Sequence, residues 1–201
     1  MRRFVVLAAV GAAVCASSAL AGSRGGSTTV VDYGGSVTLK ATVPGGVEGP
    51  KVSIVGKSCA FTAFATLARP GVPPSGAVAY TVGPAMNTVY KVLAGGRPVT
   101  TLTVRVRPAI ELKRSGGHIQ VTVTTGNGNG LGGRRVAIQQ QTSSGGWKTV
   151  GTVRLKLTSR VDQIDAVATG TGVVQGTSKV RAVLSAVQAK PCFAPATSPA
   201  A

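Results

Sequence analysis

The chain has 201 residues, among them 28 glycines and 11 prolines, and its 22 Lys and Arg against 5 Asp and Glu give a formal net charge of +17. A composition this rich in turn formers, with Val and Thr recurring at every second position, excludes a helical bundle and favours a strand-rich chain. One histidine and five carboxylates leave little material for acid–base chemistry or a metal centre, so no catalytic residue, no metal site and no cofactor is expected.

The chain opens with the pattern of an export signal. Arg2 and Arg3 supply the positive start, residues 4–14 form a short apolar run, and Ala19-Leu20-Ala21 ends in the small-x-small pattern of a cleavage site. A signal peptide over 1–21 is therefore expected, with the mature chain starting at Gly22. The run falls short of the roughly 20 apolar residues that span a bilayer, so no membrane span is expected in the mature form. Val14 before Cys15 speaks against a lipid anchor there. Secretion, or retention in the cell envelope, is the implied location. Cys59 and Cys192 are then the cysteines of the exported chain. In an oxidising compartment they read as a disulfide, with two buried or intermolecular thiols as the alternative.

Strand candidates follow in order. Val37, Leu39, Ala41 and Val43 alternate with Thr38, Lys40 and Thr42, which gives one apolar and one wet face. Residues 51–55, 61–67, 77–82, 88–93 and 99–106 are further candidates, and Gly95-Gly96 between the last two suits a tight hairpin. Pro108 stops a ladder from running on past 99–106, which places a boundary at Arg107-Pro108. Beyond it, strands are expected at 110–113, 119–124, 136–140, 147–157, 164–168 and 179–184. The tail 194–201, rich in Ala, Pro and Ser, is expected to be disordered.

The two halves also read alike. Residues 34–42 (GGSVTLKAT) match 116–124 (GGHIQVTVT), and 49–54 (GPKVSI) match 133–138 (GRRVAI). Phe61-x-x-Phe64-x-x-Leu67 parallels Trp147-x-x-Val150-x-x-Val153. Three matches in one order at a near-constant displacement indicate an internal duplication. With short strands and turns at regular spacing, the expected fold is all-β: one sandwich domain over 22–107 and a second over 108–193.

The stretches Tyr33-Gly34-Gly35-Ser36-Val37-Thr38-Leu39, Gly49 to Ile54, Pro84-Ala85-Met86-Asn87-Thr88-Val89-Tyr90 and Gly146-Trp147-Lys148-Thr149-Val150 resemble the bacterial immunoglobulin-like repeats of exported actinobacterial proteins. The resemblance covers most of 27–190. It implies two tandem immunoglobulin-like β-sandwiches and a scaffold used for adhesion, spacing and binding, with no reaction attached.

The remaining features divide between a functional and a plain structural reading. The glycine-rich 126–133 lacks the Lys-Ser/Thr and the helix that a phosphate loop requires, and reads as a long hairpin. His118 opens an alternating strand and reads as a half-exposed polar residue. Asp162 and Asp165 are three apart, which in a strand directs them to opposite faces and speaks against a carboxylate pair. Trp147 is either a core residue or a sugar-stacking platform, with core favoured, and Tyr90 reads as a strand-end packing residue whose hydroxyl bonds to backbone, with a ligand contact as the alternative. Arg134, Arg135, Lys148, Arg154, Lys156, Lys179 and Arg181 are the candidates for a basic face that meets anionic polymer. The alternative is a solvated surface. The sequence thus points to a non-enzymatic structural or binding module without a small-molecule substrate, its partner an anionic envelope polymer or another surface protein. The second reading is a dedicated binder of cell-wall polymer or nucleic acid that acts through the basic second domain.

Overall fold

A computed structural model describes residues 26–43, 52–126, 130–161 and 165–201. The chain is nearly all β and its strands stack as sandwich layers. The first half contributes β1 (Ser27–Asp32), β2 (Val37–Thr42), β3 (Val52–Ser58), β4 (Ala65–Ala68), β5 (Ala77–Val82), β6 (Thr88–Ala94) and β7 (Arg97–Arg107). One sheet has the order β1-β7-β6-β3-β4, and β2 and β5 pair in a second. The alternation read in the sequence decides the register. Val37↔Val82, Leu39↔Tyr80 and Ala41↔Val78 lie on the face turned to Ile54, Val92, Leu102 and Val104, and these side chains form one apolar core.

Residues 27–32 had no expected strand. They pair in parallel with β7, from Ser27↔Leu102 to Asp32↔Arg107, so a long neighbour supplies the ladder that their own pattern does not announce. Gly95 and Gly96 take φ of 57° and 79° between β6 and β7, as the hairpin requires of residues without a Cβ.

The second half contains β8 (Ala109–Ser115), β9 (His118–Gly126), β10 (Arg135–Gln141), β11 (Trp147–Arg154), β12 (Lys156–Val161), β13 (Asp165–Val173), β14 (Val180–Leu184), a one-turn helix α1 (Ala186–Ala189) and β15 (Ala196–Thr197). The sheets are ordered β11-β10-β14-β15 and β12-β13-β9-β8. The single strand expected over 147–157 is thus two strands in different sheets. Arg154 still pairs with Arg135, whereas Lys156 pairs with Thr169. Between them Leu155 is 1% exposed, and its backbone bonds Arg134 and Gly133. The chain crosses from one layer to the other because this one large apolar side chain is drawn into the space between them. β13 is longer than expected and pairs with β9 along its whole length. It carries Gly170 where β11 passes so close that a Cβ would run into Val153.

The tail is ordered, contrary to expectation. β15 pairs with β14 through Val183↔Thr197 and Leu184↔Ala196, and the backbones of Val180 and Ala201 exchange two bonds of 2.9 Å. Phe193 is 1% exposed in the second core, and Ser198 Oγ accepts from Ala182 N at 3.0 Å. The small side chains that give the tail a low-complexity composition are those that fit closely against β14.

Cys59 and Cys192 form a disulfide across 133 positions, with Cα atoms 5.3 Å apart. Around it the halves interlock. Asn87 N donates to Cys192 O at 2.8 Å and Ala194 N to Val106 O at 2.8 Å, while Met86, 2% exposed, packs into the core of the second half.

Candidate basic and aromatic surface

The sheet β11-β10-β14-β15 turns Val136, Ile138, Val180, Ala182 and Leu184 inward, all buried. Residues directly opposite on an antiparallel ladder share a face, and alternation sends the intervening residues outward. Arg135 is opposite Arg154, and Arg181 is opposite Gln139, so three arginines occupy the outer face. Arg181 Nε donates to Gln139 Oε1 at 2.9 Å, and its guanidinium stands 4.2 Å from the centroid of the Trp147 ring. Such stacking holds a cation in a fixed pose. Trp147 itself lies opposite Gln141 and is only partly buried. This corrects the favoured core reading: Trp147 is the first residue of an edge strand, just after a hairpin turn, and the register places it on the outside.

Arg135 and Arg154 face each other as like charges, an arrangement that is unfavourable on a sheet unless an anion lies between them. Among the described residues the ion pairs are Arg107–Asp32 at 3.5 Å and Lys113–Glu111 at 3.3 Å, and neither involves this face.

The other predicted basic residues are placed differently. Arg134 lies in the turn before β10, where its guanidinium donates to Lys190 O at 3.2 Å. Lys179 precedes β14, and its carbonyl accepts from Gln141 N at 2.9 Å, at the Trp147 end of the sheet. Lys148 pairs with Gln140, one step out of phase with Trp147. Lys156 sits on β12 opposite Thr169, in the other layer. The structure therefore brings Arg135, Arg154 and Arg181 onto one face, with Arg134 and Lys179 beside it, and leaves Lys148 and Lys156 apart.

His118 is exposed at the start of β9, opposite Ser115. Asp165 opens β13, whereas Asp162 and residues 127–129 of the glycine-rich loop lie outside the described residues. Tyr90 is buried on β6; burial pushes its phenol above the usual range, and the side-chain hydrogen bond with Thr88 pulls the other way. Among the described residues no three His, Cys, Asp or Glu side chains are grouped to hold a metal ion, and no helix is long and apolar enough to cross a membrane.

Sequence reasoning missed one feature. Phe61, Phe64 and Leu67, 61%, 37% and 43% exposed, line a groove of about 690 Å³ between β4 and β5. The repeat match through Phe61-x-x-Phe64-x-x-Leu67 marked these residues but gave no sign that they stay uncovered. No protein-family model and no curated protein matches the chain.

Proposed function

We propose that the chain is an exported, non-enzymatic module of two immunoglobulin-like β-sandwiches that serves at the cell surface or in the extracellular space as a rigid spacer and binding element. The observation that carries this reading is the Cys59–Cys192 disulfide, which persists in oxidising compartments and not in the cytosol. It lies at the point where Met86, Asn87 and Ala194 join the halves, which is what a spacer that must keep its shape requires. The strand orders support the sandwich reading of each half, since β3, β6 and β7 share one layer and β9 and β13 share another with β8 and β12, as in immunoglobulin-type arrangements. Fractionation of the producing cells with trapping of free thiols tests it. The protein is expected outside the cytoplasm with both cysteines oxidised, and a reduced cytoplasmic pool would refute it.

The outer face of β10, β11 and β14 favours a second reading, a polyanion binder. Three arginines in one layer, two of them directly opposed, attract phosphate- or carboxylate-bearing polymer. Retention on anionic cell-wall polymer that falls steeply with salt supports it, because counterion release gives charge-driven binding that dependence.

A further inference from the structure

The two halves of the chain close their sandwiches differently. In the second half β13 is paired on both sides, with β9 and with β12. Its counterpart β5 pairs with β2 and, among the described residues, has no strand on its other edge. The cause is legible in the chain. After β11 the segment continues through buried Leu155 straight into β12, and Val153 is 4% exposed. After β4 it meets Arg69-Pro70-Gly71-Val72-Pro73-Pro74, and three prolines cannot supply a ladder. Leu67, which the repeat aligns with Val153, is consequently 43% exposed. The groove lies between these two edges, with Phe61 and Leu67 on one side and Tyr80, Val82 and Met86 on the other.

We propose that this groove is a strand-acceptor site: it takes an extended, acidic and apolar peptide segment of another protein, which pairs with β5 as β12 pairs with β13. Main-chain bonds to an open edge provide affinity in this mode, and alternate side chains enter the groove. Charge selects the partner. Lys57 Nζ and Lys91 Nζ both lie over the Phe64 ring, 5.3 and 4.5 Å from its centroid, and within a chain whose net charge is +17 they add to a positive field that favours an acidic segment. Asp32, the acidic residue described in this half, is engaged by Arg107 on β7, across the sheet from β4. A second copy of a chain carrying +17 is disfavoured by the same charge. The inference rests on the fold and stands whether or not the protein is exported.

The test uses the disulfide-intact protein and a labelled synthetic octapeptide alternating valine with glutamate, beside counterparts with lysine for glutamate or with a central proline. The acidic peptide is expected to bind saturably and to slow amide hydrogen exchange within 78–82. Leu67→Asp is expected to weaken binding about tenfold or more, as the loss of a buried leucine contact implies. Phe61→Ser provides the same check at a more exposed position should Leu67→Asp fail to fold. Binding without protection of β5, equal binding of the lysine or proline peptides, absence of saturable binding, or concentration-dependent self-association through this edge would each overturn the proposal.

Discussion

Asn87 Nδ2 donates to Pro191 O at 2.9 Å across 104 positions of sequence, while Asn87 Oδ1 accepts from Val106 N at 2.9 Å. One amide thereby serves both halves of the chain. Asn87→Ala leaves the N–H of Val106, a residue 0% exposed, without its acceptor, and an orphaned buried donor costs about 1–3 kcal/mol. Asn87→Asp keeps that acceptor and loses the bond to Pro191. Thermal unfolding is expected to rank wild type above Asn87→Asp and Asn87→Ala below it. Equal stability of all three proteins would remove the bridging role.

The disulfide closes a covalent loop across 133 positions. Unreduced, denatured protein is expected to show no free thiol from Cys59 or Cys192, and peptide mapping to recover the two joined. Cys59→Ser with Cys192→Ser is expected to lose about 4–5 kcal/mol in the chain-entropy account of a loop this long. A loss below 1 kcal/mol would mean that the packing of Met86 and Phe193 holds the junction unaided.

Arg135 and Arg154 allow stability and binding to be separated. Arg135→Glu replaces opposed like charges with an opposite pair, worth roughly 0.2–1 kcal/mol on a sheet. The variant is therefore expected to melt no lower than wild type while its retention on anionic polymer falls and its salt dependence flattens. Unchanged, salt-insensitive retention, or no retention of wild type at low salt, would return the arginines to an ordinary solvated surface.

Tyr90 predicts behaviour at high pH. Its folded-state pKa is raised by burial, so once pH exceeds the ordinary tyrosine value of about 10 the unfolded chain releases a proton that the folded chain retains. The stability tied to Tyr90 is complete below that value and declines as pH rises. Tyr90→Phe is expected to show a shallower alkaline loss in denaturant titrations between neutral and strongly alkaline pH. An identical decline in both proteins would assign it to other groups.

Much of the layer structure was legible because strict alternation survives translation into a half-buried strand. The Val37, Leu39 and Ala41 series and the Val136, Ile138 pair face inward as their spacing demands. Where the sequence misled, a distant partner decided the outcome. β1 takes its ladder from β7, and the tail takes its order from β14. The switch of layers at Leu155 depends on a space that two sheets create together, which no local window contains. Of the seven basic candidates, those on β10, β11 and β14 could be sorted only once register was known, because a bulge between Ile138 and Gln139 resets which residues of β11 share a face. The groove beside Phe61 escaped notice for the opposite reason: exposure of apolar residues there follows from a strand that the prolines of 69–76 prevent.

The cross-link from Cys59 to Cys192 also determines how the molecule carries load. A pull applied to residues outside the loop passes directly through the sulfur bridge, so the 133 positions it spans are withheld from extension even if their strands separate. At roughly 3.4 Å per residue this is about 450 Å of slack that is never released. A protease cut within the same span leaves both pieces covalently attached. In the spacer role proposed above, the bridge would be a stop on the tether as well as a brace for the fold.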